Sequence, residues 1–344
     1  YISNRFTMDG EINHGRSEEH RQTLRTSRLS AGNYFNLIRN RENSTWEFRS
    51  ATQYAYQPAS LLLEEGKSKF NQHSFYTDNS AAYLRKYNGF TQQYKAGIQG
   101  ERATMKYIPP TQPNDFNASN LSLYFNPYFQ LQRGKWLATL SLPLKAQRYF
   151  SQQRSFLFFN PSTYLRYKQD YHWTFSLYGN LKRSAGDFSD LYPGLYQTDY
   201  RTWRSGNGLF PTSTTQTYNL YGEYKNTVQE FFVTASLTYS RSNRNTLFEQ
   251  SVSENAIVYT RRELPNHSDS WNLSSTLSKG IYDWHLKTSL TLLLSRSNGE
   301  QLTRLTDSDQ QSLLQTYRYD YLKAEPKIIW SPADLFEAEY HATL

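Results

Sequence analysis

The chain has no cysteine in its 344 residues, which excludes a disulfide framework and thiolate metal sites while leaving the compartment open. Long hydrophobic runs are also missing. Leu61 to Leu63 and Leu292 to Leu294 are typical, far short of the roughly 18 apolar residues that mark a membrane-crossing helix. There is no HExxH, no Gly-x-Ser-x-Gly elbow and no phosphate-binding glycine loop; Gly206-Asn207-Gly208 lacks both a third glycine and a following helical pattern. The seven histidines show no short metal-ligand spacing, so neither catalysis nor a cofactor is expected. No basic segment, apolar segment and cleavage site of a secretory leader precede the first patterned residues.

What is present is alternation. From Trp136 to Ala146, Trp136, Ala138, Leu140, Leu142, Leu144 and Ala146 alternate with Leu137, Thr139, Ser141, Pro143 and Lys145. One face is apolar and the other mostly polar, the period-two pattern of a strand between unlike environments. Eleven residues at about 3.3 Å each, tilted by about 45°, cover roughly 25 Å, the height of the apolar band on an outer-membrane barrel. Before it, Leu121, Leu123, Phe125, Pro127, Phe129 and Leu131 alternate with Ser122, Tyr124, Asn126, Tyr128 and Gln130, and Gln132 to Lys135 make a tight turn. The pair reads as a β-hairpin.

The rest of the chain repeats that unit. Phe6, Met8, Gly10 and Ile12 give a first strand; His20 to Ile38 and a return from Trp46 flank a turn at Arg39 to Ser44. Pro58 to Phe70 reads as a polar connection, and Asn88-Gly89 as a type I′ turn with positive φ at both positions. Phe90 to about Arg102 is a strand, and the Pro109, Pro110, Pro113 segment a loop. Phe156 to Lys168 and His172 to Lys182 pair around Asp170; Ser184 to Ser213 is a long loop, and a second long loop follows Tyr239 and reaches Ser268. The last turn is Ser331 to Leu335, after which Phe336, Ala338, Tyr340, Ala342 and Leu344 alternate to the final residue.

A mean hydropathy of -0.80 does not argue against a membrane, because a transmembrane strand needs an apolar residue only at every second position. Aromatics make up 16% of the chain, tyrosine foremost, and such rings suit a membrane interface. Trp136, Trp173, Trp271 and Trp284 are expected near the short turns as a girdle. The fold class expected is all-β: an antiparallel transmembrane β-barrel of about fifteen strands with short turns at one end and longer loops at the other. Bacterial single-chain barrels have even strand numbers, so residues 1–344 are expected to be part of one barrel domain.

The pattern resembles the barrel region of TonB-dependent outer-membrane receptors, in particular the branch with a carboxypeptidase-regulatory-like N-terminal domain. The loop Ala185-Gly186-Asp187-Phe188-Ser189-Asp190-Leu191-Tyr192-Pro193-Gly194 carries the closest local likeness. The resemblance implies import of a scarce solute across the bacterial outer membrane. It also implies a plug and a TonB-interacting segment upstream, contact with outer-membrane lipid and lipopolysaccharide, a surface lipoprotein partner, and no nucleic acid. A passive porin or a surface-display or secretion barrel is the alternative, and a soluble β-sandwich a third reading.

The ligand-binding candidates lie in the 184–213 loop: Tyr192, Tyr196, Tyr200 and Trp203 with Asp187, Arg201 and Arg204, beside Asp190 and Asp199. Aromatic faces stack on sugar rings or apolar surfaces while charges orient a polar solute; the bland alternative is that these rings pack the loop on its neighbours. Asp187 and Asp190 fall far short of the roughly six to eight oxygens of a calcium site. On the lumen-facing parity, Arg5, Arg49, Lys145, Lys182, Lys225 and Lys287 stand against Asp9, Glu11, Glu47, Glu223, Glu337 and Glu339, either an anion-attracting wall or solvated lining. The net charge of +8 is dispersed and selects no partner.

Overall fold

The computed structural model describes residues 2–16, 21–63, 66–108, 114–199, 201–254, 256–305, 312–333 and 336–343. The first half contains strands β1 (Ile2–Arg16), β2 (Arg21–Arg41), β3 (Ser44–Leu63), β4 (Gly66–Tyr87), β5 (Phe90–Ile108), β6 (Asn114–Arg133), β7 (Trp136–Ser141), β8 (Leu144–Tyr149), β9 (Arg154–Phe159) and β10 (Ser162–Lys168). The second half adds β11 (Trp173–Ala185), β12 (Tyr196–Gln197), β13 (Thr202–Ser205), β14 (Thr212–Asn226), β15 (Phe231–Val252), β16 (Ile257–Ile281), β17 (Leu286–Leu305), β18 (Leu313–Ala333) and β19 (Phe336–His341). All belong to one sheet.

The sheet is an antiparallel meander. β7 and β8 both pair with β6, as two halves of one strand broken at Leu142-Pro143, and β9 and β10 are broken in the same way at Asn160-Pro161. Proline has no N–H to give the ladder, so the break falls where the sequence puts it. With β12 and β13 confined to a loop, the described residues form fifteen passes of the wall. That is the number the alternation predicts.

The two faces of the meander differ as the pattern requires. Leu121, Leu123, Phe125 and Leu131 are exposed on one face, while Ser122 and Tyr124 between them are buried on the other. Trp46, Phe48, Trp136, Trp173, Leu177, Leu220, Leu294 and Trp330 share the apolar, exposed surface. The opposite face is a polar lattice: Asn219 donates to Ser236 and Thr238 at 2.7 Å each, and Tyr124 to Asp78 at 2.8 Å.

The structure corrects five local expectations. Only Gly89 takes positive φ (73°) at the Asn88-Gly89 turn, so it is not type I′. The segments read as a connection at Pro58 to Phe70, as a strand end at Arg102 and as a loop from Tyr239 to Ser268 are largely strand: β3 runs to Leu63, β5 to Ile108, and β15 and β16 extend over 22 and 25 residues. Along β15 and β16 beyond Tyr239 neither face holds a steady apolar set, and in β5 the apolar parity changes face after Glu101, while the backbone ladder continues regardless. Finally, Trp271 lies opposite Tyr239, nine residues from Gly280, so it marks the far edge of the apolar band. The near edge carries Trp46 on Tyr83, Trp136 on Tyr167 and Trp173 on Tyr224, with centroids 4.5–4.8 Å apart.

The β15–β16 hairpin changes neighbours along its length. Near the short turns the order is β14, β15, β16, β17, all antiparallel. Beyond a register shift between Arg244 and Thr246, residues 257–260 of β16 pair in parallel with β13, and residues 249–252 of β15 pair in parallel with 302–305 of β17. The tip has exchanged sides.

Candidate functional site

The segment between β11 and β14 folds onto the polar face at the long-loop end. A single 3-10 turn, Phe188–Leu191, buries Phe188 and Leu191, and Tyr192 after it is fully buried. These side chains share one cluster with Met105, Tyr107, Ala118, Tyr149 and Phe210. The Tyr192 ring meets Phe70 and Phe116 edge-on at 6.0 Å, and Tyr196 stacks on Phe70 at 5.2 Å. Burying several such rings contributes roughly 1.5–3 kcal/mol each, which is ample to dock a loop.

Gly186 and Gly206 permit that close approach. A Cβ on Gly206 would sit 2.0 Å from the Asp190 carbonyl oxygen, and one on Gly186 would sit 2.2 Å from the Pro211 ring. The Gly206-Asn207-Gly208 stretch is thus a packing turn, with Asn207 and Gly208 at positive φ.

The polar contacts of the loop reach the other side of the sheet. Asp190 Oδ1 accepts from Arg261 Nη2 at 2.5 Å, and Arg261 Nη1 donates to Thr246 at 3.0 Å. Arg261 also lies over Phe248 at 4.3 Å, beside Arg204 at 4.6 Å. Arg201 donates to the carbonyls of Ser253 and Glu254 at 3.2 and 2.9 Å, capping the hairpin tip. Asn245 accepts from Thr212 N at 2.6 Å and donates to Phe210 O at 2.9 Å.

These contacts decide the shape of the sheet. Tyr192 touches β4 and Asp190, two residues earlier, touches β16, although eight strand-to-strand steps separate β4 from β16 in the meander. Laid flat, those steps span about 38 Å, well beyond the reach of two side chains on one turn. The sheet is a curled barrel wall. Its polar face is concave, and the 186–211 loop spans the interior.

No protein-family model and no curated protein matches the chain. Among solved structures it is similar to the siderophore receptor PirA from Pseudomonas aeruginosa at 12% identity and a TM-score of 0.48, over 99% of this chain and 76% of that one. The alcaligin outer-membrane receptor FauA from Bordetella pertussis aligns at 11% identity and 0.48, over 100% and 63% of the two chains. The FrpB iron transporter from Neisseria meningitidis aligns at 10% identity and 0.44, over 96% and 65%.

The expected binding residues do not converge on one surface. Tyr192 and Tyr196 serve the buried cluster, and burial pushes the Tyr192 hydroxyl up to about 12. Trp203 and Arg204 stand on β13 against the hairpin tip, and Tyr200 lies outside the described residues. Arg201 is spent on carbonyls, and both Asp190 oxygens are engaged, Oδ2 by the Asp187 N–H at 3.3 Å. Asp187 is the exception. It lines a cavity of about 290 Å³ beneath the loop, with Glu101, Asn120, Lys145, Gln147 and Lys182.

Of the lumen-facing charges, Lys145 and Lys182 therefore share a cavity. Arg49 pairs with Glu47 at 3.2 Å, Lys287 sits near the short turns, and the side chain of Arg5 lies outside the described ones. Arg261 and Glu249 were not expected as site residues. Glu249 is buried between Arg262 Nη2 at 2.6 Å and the Ser312 hydroxyl; burial pushes its carboxyl up, but these hydrogen bonds outweigh that and hold it below its usual value. No local pattern marks either residue, because their partners are 71 and 63 positions away in sequence.

Proposed function

We propose that this chain forms wall and mouth of an outer-membrane transporter, a gated barrel that takes up a solute through its lumen with energy from the TonB complex. The observation that carries the reading is the 186–211 loop, folded inward across the lumen and tied to both β4 and β16, above a polar cavity. An open porin leaves its channel clear, whereas a gated importer narrows it and binds its cargo there. The exposed apolar band with aromatic edges supports placement in the outer membrane.

In this reading residues 1–344 belong to one barrel domain with a plug supplied by the rest of the protein. Solute contact falls to Asp187, Glu101, Lys145 and Lys182, a mixed-charge lining suited to a polar solute bearing both donors and acceptors. The complete protein, reconstituted in planar bilayers, is expected to conduct little, because loop and plug together close the lumen. Steady conductance of the unmodified protein identifies a passive pore instead.

A further inference from the structure

The concave face is not uniform around the wall. On β4 to β8 it carries ionised groups, Asp78, Lys95, Glu101 and Lys145 among them. On β14 to β17 the same face is a lattice of hydroxyls and amides. Thr217, Ser240, Ser270 and Ser297 stand side by side across the four strands. The next row toward the short turns is Asn219, Thr238, Asn272 and Ser295, and the one after it Tyr221, Ser236, Ser274 and Leu293. None of these side chains carries a charge. Neighbours are about 4.8 Å apart across the strands and about 6.7 Å apart along them. Thr215 donates to Ser242 at 3.1 Å and Ser295 to Asn272 at 2.7 Å. A hydroxyl that gives its proton to a neighbour still has lone pairs, so the lattice keeps acceptors turned to the lumen.

The lattice ends in an aromatic edge. On β18, Tyr319 lies opposite Ser297 and Tyr321 opposite Ser295, with ring centroids 6.3 Å apart and planes 12° from parallel. Tyr317, one step toward the long loops, lies opposite Gly299. A Cβ on Gly299 would come 2.6 Å from the Tyr317 hydroxyl oxygen, so the missing side chain is what lets this ring lean across β17. All three rings are exposed. Tyr317 joins Ser240, Ser242, Ser270 and Ser297 around a cavity of about 330 Å³, the size of a small-ligand site. Two of its lining residues are charged: Arg244 at the long-loop end, and Asp269, which accepts from Asn298 at 3.0 Å.

We propose that the concave face of β14 to β18 is a second binding surface, separate from the mixed-charge cavity beneath the loop, and that it takes an uncharged, hydroxyl-rich ring compound. Hydroxyl and amide side chains exchange hydrogen bonds with solute hydroxyls in either direction, while tyrosine faces cover the apolar side of a ring. Rows without charge give an ion nothing in return for its lost hydration, so the lattice discriminates against charged solutes. The proposal rests on the transporter reading, which opens the lumen to solute, and the conductance test of that reading stands whatever is found at this face.

The test uses the complete protein in a polyoxyethylene detergent, with raffinose as the neutral probe, trigalacturonate as the anionic one, and binding followed by saturation-transfer NMR. Raffinose is expected to bind, and to bind about tenfold more weakly to Tyr319→Ala/Tyr321→Ala, which loses two stacking faces. Tyr171→Ala, at a fully exposed ring on a short turn, should leave binding unchanged. Trigalacturonate should bind about tenfold more weakly than raffinose, even with Arg244 at hand. No raffinose binding, an unchanged double variant, or equal binding of the two sugars overturns the proposal. Should the double variant misfold, Ser270→Cys gives a second measurement in a chain without cysteine: a small neutral maleimide labels it, and raffinose slows the labelling. Labelling indifferent to raffinose overturns the site, and no labelling overturns it too, because the rest of the protein then covers this wall. Steady conductance without energy input defeats the transporter reading itself, a separate outcome.

Discussion

Strand β5 is two different strands in succession. Near the short turn, Ile98 is exposed on the apolar convex face; beyond Glu101 the apolar residues are Ala103, Met105 and Tyr107, at the other parity, buried on the concave face. Within the band the outside contacts something apolar and the lumen is polar. Above it the relation inverts, because the inner face is covered by the 186–211 loop and the outer face meets water and headgroups. A strand keeps its hydrogen bonds through such a change, since the ladder involves the backbone alone. Side-chain pattern therefore reports surroundings on each face, and the strand itself only indirectly.

This contrast yields ordered predictions. The largest effect is expected where the loop meets the wall: Tyr192→Ala empties the centre of the cluster and costs about 3–5 kcal/mol of docking, and Gly206→Ala acts through its clash with Asp190. Limited proteolysis between residues 187 and 208 should accelerate in both, with the heat-modifiable migration of the barrel unchanged; loss of that migration would mean loop and wall are one cooperative unit. Asp190→Ala, which strands the buried Arg261, should cost about 3 kcal/mol, and hydrogen exchange across 186–211 measures it. The pair Asp190→Ala/Arg261→Met should recover much of the loss.

In the band, Leu220→Arg places a charge on the lipid face and is expected to destabilise the wall by about 2–4 kcal/mol, read from urea unfolding in liposomes. The same change at Arg102 or Lys106 is already present and tolerated, which is the comparison in its simplest form. Acid provides a gentler probe. Glu249 has a depressed folded-state value, so its contribution is complete at neutral pH and is lost as pH falls through that value. Amide exchange in 249–262 should rise below about pH 4, and Glu249→Gln should remove most of that pH dependence. The smallest effect is expected at Gly134→Ala, which meets no atom within 4 Å and pays only for φ of +55°, about 1 kcal/mol.

Much of the wall was legible because a membrane makes the two faces of a strand unlike. The β6–β7 hairpin, the fifteen passes and the polar lumen follow from alternation alone. The strand extensions were not legible, since Arg241 to Asn266 carries no steady contrast between its faces. One signal was available: the apolar parity of β5 shifts between Ile98 and Ala103, which announces a change of covered side. The loop chemistry was partly legible. Tyr192 and Tyr196 stood out as aromatic, but whether a ring meets solute or Phe70 depends on strands more than 100 residues earlier.

The exchanged neighbours of the β15–β16 tip have a mechanical meaning. β13 lies along β16 in parallel over four positions, Thr202 to Ser205 against Ile257 to Thr260, with Arg201 anchoring its start. A tug on the loop along the strand direction loads all four positions at once in shear, whereas a sideways pull opens them one by one. The mouth is thus stiff to forces directed down the pore and compliant to forces directed across it.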